Sequence, residues 1–125
     1  MINTKDAADA AVAYQPLRTE GSRAFYIGVS HSDVAKDLLT ANSNAPKRSA
    51  NSYGNRRASL NLVRTIVVNT PDGETETKDM KFELVTSVPV GASDAQVEEC
   101  RARLAEILAN PALIKDIAVV GKTQQ

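Results

Sequence analysis

The sequence predicts an α+β fold, with strands first in an antiparallel sheet and two helices at the C-terminal end. Three observations carry this reading. Residues 57–69 and 75–90 alternate side-chain character with the period of two that a strand imposes. Between them Thr70-Pro71-Asp72-Gly73 is a turn, since proline presets φ and glycine admits positive φ. From Ser93 onward the apolar residues recur at helical spacing.

The elements follow in chain order. Residues 8–17 are weakly strand-like, and residues 18–22 form a turn. Residues 23–29 make a better strand, rich in aromatic and β-branched side chains. Together they predict an N-terminal hairpin region over residues 1–30. Residues 33–44 admit two readings. A helix would start behind Ser32 or Asp33; a strand from Lys36 onward would put Leu39 and Ala41 on one face and Thr40, Asn42 and Asn44 on the other. Residues 45–54 are dense in turn formers and predict a loop.

In residues 57–69, Leu60, Leu62, Ile66 and Val68 share one face with Arg64, and Ser59, Asn61, Val63, Thr65 and Val67 share the other. In residues 75–90, Met80, Phe82, Leu84, Thr86 and Val88 lie opposite Lys81, Glu83, Val85 and Ser87. The sheet is thus expected within residues 34–90 and the helices within 93–120, all in one domain, 1–125. Ser93 and Gln96 have the spacing of a capping box, and Asp94 and Glu98 favour the positive end of the helix dipole. Val97, Cys100, Leu104, Ile107 and Leu108 form the helix's apolar stripe. Asn110 caps a second helix with Pro111 in its first turn, and Leu113, Ile114 and Ile117 give that helix an apolar side.

Composition narrows the function. The single cysteine excludes an internal disulfide, and a reducing cytoplasmic site of synthesis fits. No apolar run approaches the ~20 residues of a membrane-spanning helix, and the N-terminal residues lack the pattern of a secretory signal. His31 is the only histidine, too little for a triad or a histidine-rich metal site. It reads as a loop residue, and Cys100 reads as a small core hydrophobe. No enzyme, cofactor or metal is expected.

The net charge of zero is unevenly distributed. Residues 36–64 carry six bases against Asp37 alone, whereas residues 69–99 carry eight acids against two bases. A basic block in an otherwise acidic chain suits an anionic partner; the bland alternative is solvated surface. Asn55-Arg56-Arg57 leads into a strand bearing Ser59 and Asn61, and Thr40, Asn42 and Asn44 extend that polar face if their segment is a strand. Arginine contacts phosphate, while Asn, Ser and Thr read the base edges that folded RNA exposes.

Three segments carry a resemblance: Asn55-Arg-Arg-Ala-Ser-Leu-Asn-Leu62, Val85-Thr-Ser-Val-Pro-Val-Gly91, and Ala102-Arg-Leu-Ala-Glu-Ile-Leu-Ala-Asn-Pro-Ala-Leu-Ile114. In this order, the chain resembles the coat proteins of the small single-stranded-RNA bacteriophages, the leviviruses. The match is most specific over residues 55–118. The resemblance implies an N-terminal hairpin, a five-stranded antiparallel sheet and two C-terminal helices. It implies an interlocked homodimer with one continuous sheet, and an icosahedral shell around genomic RNA as the chain's place in the virion. It further implies binding of an RNA hairpin that represses replicase translation. The RNA-face candidates it carries over are Thr40, Asn42, Asn44, Arg56, Arg57, Ser59, Asn61, Lys81 and Glu83. Residues 70–77 match the loop lining the family's shell openings. Asn61 stands where relatives often have lysine, Glu83 adds a negative charge, and the 45–54 loop is longer than usual. The runners-up are a cellular dimeric RNA-binding regulator and a small α+β enzyme.

A helix pair covers a sheet of five or six strands poorly, so a two-fold dimer is expected to close it. Leu104→Asp should then abolish the soluble dimer by placing an unpaired charge in an apolar interface. Analytical ultracentrifugation of that variant checks this, and normal assembly would assign the packing to another helix face.

Overall fold

The computed structural model describes residues 1–121 of the chain. They divide into two compact units, Met1–Val90 and the segment from Gly91 onward. The first unit is a six-stranded antiparallel sheet whose strands lie side by side in chain order. These are β1 (Ile2–Lys5), β2 (Ala11–Glu20), β3 (Arg23–Ile27), β4 (Asp37–Asn44), β5 (Asn55–Asn69) and β6 (Thr75–Pro89).

The N-terminal hairpin is present, but its bounds differ from expectation. β1 is an extra strand that the polar sequence Ile2-Asn3-Thr4-Lys5 does not advertise. β2 runs through Arg18, Thr19 and Glu20, which the sequence reading gave to a turn; only Gly21 and Ser22 turn. The added length has a local support. Glu20 pairs with Arg23 in the ladder, and Arg18 bonds Glu20 at 2.8 Å while its guanidinium lies 4.5 Å from the Phe25 ring centroid. Pro16 is tolerated because β1 reaches only to Tyr14, so no partner on that side needs its missing N–H, and the register shifts between Pro16 and Arg18.

Of the two readings of residues 33–44, the strand is correct. β4 pairs with β3 on one side and β5 on the other, and those ladders outweigh any local helical tendency. β5 and β6 pair along their full lengths, from Asn55 opposite Pro89 to Asn69 opposite Thr75. The turn between them is tight. The Gly73 N–H donates to the Thr70 carbonyl at 3.1 Å, and the Asp72 carboxylate accepts from the Thr70 hydroxyl and the Glu74 N–H. That hydroxyl bond is the main cause of an Asp72 carboxyl held below the usual range. Residues 75–77, which the resemblance alone placed in a loop, belong to β6, as their alternation predicts.

Few side chains are buried. Among the described residues the buried hydrophobics are Tyr14 and Leu39, and one charged residue, Asp37, lies with them at 7% exposure. Asp37 is the knot of the sheet's hairpin end. Its carboxylate accepts from the Tyr14 hydroxyl at 2.8 Å and the Ser30 hydroxyl at 3.2 Å, and Arg64 stands 3.9 Å away. Its backbone N–H donates to Nδ1 of His31 at 3.1 Å, so the lone histidine is a structural acceptor. Gly28 closes the knot: its N–H donates to the Asp37 carbonyl at 2.9 Å, and a Cβ there would overlap the carboxylate.

The second unit is helical. α1 (Asp94–Leu108) opens on the expected capping box, with the Gln96 N–H donating to Ser93 Oγ and the Ser93 N–H to Gln96 Oε1. Its outer face carries Arg101–Glu98 and Arg103–Glu99 pairs at helical spacing. α2 (Pro111–Lys115) begins at the Asn110 cap and continues as one π-helical turn, Asp116–Val120, which Gly121 ends at φ 85°. Of the expected packing residues, Leu104, Leu113 and Ile114 are half-buried, while Val97, Cys100, Ile107 and Leu108 are exposed.

Two predictions follow from the knot. Gly28→Ala should lower the unfolding free energy by about 1–3 kcal/mol, read from urea denaturation, because the new methyl and the Asp37 carboxylate cannot share the space. Burial first, and then the bond to Asp37, push the Tyr14 phenol up to about 12. A raised phenol stabilises the fold fully below its unfolded pKa near 10 and loses that contribution as pH climbs through 12. The advantage of wild type over Tyr14→Phe in urea should therefore shrink between pH 10 and 12; parallel decline of both proteins would reject the linkage.

Candidate nucleic-acid interface

Paired residues in an antiparallel ladder point to the same side of the sheet, so the registers sort the candidate residues by face. Four rows cross one face. Asn44, Arg57 and Ser87 form the first, beside the β4–β5 loop. Arg23, Asn42, Ser59 and Val85 form the second. Phe25, Thr40, Asn61 and Glu83 form the third, and Ile27, Leu38, Val63 and Lys81 the fourth. Eight of the nine sequence candidates therefore share a face: Thr40, Asn42, Asn44, Arg57, Ser59, Asn61, Lys81 and Glu83.

Arg56 does not join them. It stands opposite Val88, on the face of Leu60, Leu62, Phe82 and Leu84, and donates to the Ser43 hydroxyl at 3.3 Å. Adjacent residues of a strand point to opposite sides, so Arg56 and Arg57 cannot both lie on the polar face.

The polar face has a charge gradient. Its first two rows hold Arg57 and Arg23 against one acid, Glu20, which lies beside Arg23 in the ladder and bonds Arg18, and neither Arg57 nor Arg23 has a carboxylate partner among the described residues. Ser22 bonds Asn42 at 2.8 Å, and Asn55 bonds Ser87 at 3.2 Å, which orders the amides at this end. In the third row the Asn61 carbonyl oxygen is enclosed with no hydrogen-bond partner. Glu83 pairs with Lys81 at 3.3 Å, so these two largely cancel. Farther on, Asp79 accepts from Thr65 at 2.8 Å and pairs with Lys36 at 3.4 Å. The Thr65 bond, and after it Lys36, hold the Asp79 carboxyl below the usual range. An anion is thus favoured at the end beside the β4–β5 loop and disfavoured at the other.

The opposite face is apolar and open. Met80, Phe82 and Leu84 are 40%, 47% and 38% exposed. A groove of about 340 Å³ on it is lined by Ala24, Ala41, Ala58, Leu60, Leu84 and Thr86, among others. Among the described residues no group of His, Cys, Asp and Glu is placed to hold a metal.

No family model matches the chain, and no curated protein matches it by sequence. Solved structures do. The virus-like particle of Wenzhou levi-like virus 4 is 28% identical, over 88% of this chain and 77% of that one, with a TM-score of 0.75. The virus-like particle of Beihai levi-like virus 32 is 20% identical over 91% and 89%, with a TM-score of 0.77. That of bacteriophage AVE019 is 15% identical over 99% and 96%, also at 0.77. The chain shares the fold of these levi-like virus and phage particles.

Sequence reasoning missed one member of the polar face. Arg23 sits beside Asn42, and its parity with Phe25 in a recognised strand was the available signal. No helix among the described residues is long and apolar enough to cross a membrane.

Proposed function

We propose that the chain is a coat protein of the levivirus type, that it forms a two-fold dimer, that the dimers build a closed shell, and that the polar sheet face lines the shell's RNA-filled interior. The observation that carries the reading is the division of the sheet into two unlike faces. One exposes Met80, Phe82 and Leu84 and needs cover. The other gathers Arg23, Asn42, Asn44, Arg57 and Ser59, and the one acid beside them, Glu20, is taken up by Arg18.

The sheet's edge supports the dimer. β6 is 15 residues long and pairs with β5 on one side only, leaving a row of free backbone donors and acceptors. Such an edge invites a second strand unless it is blunted. The same strand in a second copy, run antiparallel about a two-fold axis, satisfies it and joins two sheets into one. The uncovered stripe of α1 then has an apolar surface to meet in the partner.

On the polar face, Arg57 and Arg23 supply phosphate contacts, and Asn42, Asn44 and Ser59 supply donors and acceptors for unpaired bases. Recognition of an RNA hairpin, and through it repression of replicase translation, belongs to this reading. The Glu83 carboxylate weakens phosphate contact in its row, which shifts the RNA toward the β4–β5 end.

Electron microscopy of the expressed protein, with its 260/280 nm absorbance ratio, tests the proposal. Particles rich in RNA are expected; dimers alone would favour a regulatory RNA-binding protein. Arg57→Ala should lower RNA content and reduce the salt slope of RNA binding by about one. Arg56→Ala should leave that slope unchanged, and an equal effect of the two variants would contradict the facial assignment.

A further inference from the structure

The β4–β5 loop, residues 45–54, is more ordered than a connection requires. The Ser49 N–H donates to the Ser52 carbonyl at 2.8 Å, and the Gly54 N–H donates to the Ser52 hydroxyl at 3.0 Å. Gly54 sits at φ +84°, and a Cβ on it would overlap the Lys47 backbone carbonyl. The Gly54 carbonyl in turn accepts from the Val90 N–H at 3.0 Å, tying the loop to the end of β6. These bonds fix the segment that carries Tyr53.

Tyr53 is 62% exposed, against 47% for Phe82, and Tyr14, Phe25 and Tyr26 are buried or half-buried. The Arg48 guanidinium lies 5.0 Å from the Tyr53 ring centroid. Lys47 is adjacent in sequence and exposed. No acid occurs between Asp37 and Asp72, a span that holds Lys47, Arg48, Arg56, Arg57 and Arg64. Of these, Lys47, Arg48, Arg56 and Arg57 have no carboxylate partner among the described residues.

We propose that Tyr53, with Arg48 and Lys47, is a stacking platform for an unpaired nucleobase of single-stranded RNA. The proposal rests on the RNA-binding reading above and adds a site to it. An exposed aromatic ring beside cations is the arrangement that holds single-stranded nucleic acid, because every base has a π-face and every linkage a negative charge. The loop continues the cationic end of the polar face, since the row of Asn44 and Arg57 borders it directly. A contact between two copies of the loop is the competing use of an exposed tyrosine. The acid-free charge of the loop opposes that contact, because like loops repel.

The test uses the full-length protein, a twelve-nucleotide oligouridylate, an RNA duplex of equal length, and heparin. Tyr53→Ala should weaken oligouridylate binding about tenfold and leave the salt slope unchanged, because no charge is removed. Tyr53→Phe should keep the affinity. The chain has no tryptophan, so Tyr53→Trp supplies a unique reporter. Its fluorescence should be quenched by oligouridylate, and much less by the duplex or by heparin, which has charge but no bases. Wild-type affinity in Tyr53→Ala, alongside weakened binding in Arg57→Ala, would overturn the platform and leave RNA binding intact. No RNA binding by wild type would remove both. Normal oligouridylate binding with lost particle formation in Tyr53→Ala would assign the loop to contacts between copies, which also overturns the proposal.

Discussion

The constraint on which everything else rests is the shortage of buried apolar surface. Fixing a residue's backbone costs about 1–2 kcal/mol, and fully burying a large aliphatic side chain returns about 1.5–3 kcal/mol. Among the described residues only Tyr14 and Leu39 are buried hydrophobics. Met80, Phe82, Leu84 and Leu60 face solvent from the sheet, and Val97, Ile107 and Leu108 from α1. Backbone ladders join β1 through β6, yet hydrogen bonds alone yield a small net gain because unfolded chains bond water equally well. A chain built this way gains little from its own core, and in the proposed dimer its assembly and its stability would be one property.

Against that deficit the Asp37 knot does something packing cannot. It places a charge among apolar neighbours, which is costly unless each oxygen finds a donor. Tyr14, Ser30 and Arg64 come from three different segments, so the charge is satisfied only when β2, the β3–β4 connection, β4 and β5 are in register together. A strand slipped by one residue would turn Asp37 to the polar face and leave the Tyr14 hydroxyl without its acceptor. The knot therefore selects one register in a sheet whose hydrophobic contacts are too few to select it alone.

Much of this was legible in the residues. β5 and β6 were plain because long alternation and a Pro–Gly turn agree, and α1 because its capping box precedes a helical stripe. β1 was not legible, since a four-residue strand of Ile-Asn-Thr-Lys takes its conformation from pairing with residues 11–14, a non-local cause. The choice between helix and strand at residues 33–44 failed locally for the same reason: its ladders lie on β3 and β5. Arg56 was a different kind of error. The alternation that identified the strand already forbade Arg56 and Arg57 from sharing a face, and grouping them as a basic motif ignored it. Arg23 and Tyr53 escaped because each contributes only through a neighbour supplied by folding, Asn42 in one case and Arg48 in the other.

The two faces of the sheet follow from a single alternation, and that couples the two tasks proposed for them. Each odd-numbered residue of β5 placed on the polar face fixes an even-numbered residue on the apolar one. Thus Ser59 and Asn61 on one side come with Ala58, Leu60 and Leu62 on the other. An insertion or register slip in β5 would exchange the faces, carrying Arg57 to the apolar side and the leucines to the polar one. The 45–54 loop and the Thr70–Glu74 turn lie outside that constraint. The cationic and aromatic side chains of the loop lie in that freer region, next to the row of Asn44 and Arg57. On the proposed function, contacts to RNA there can change without altering a residue of either sheet face, which makes the loop the least constrained place on the first unit for such contacts to be adjusted.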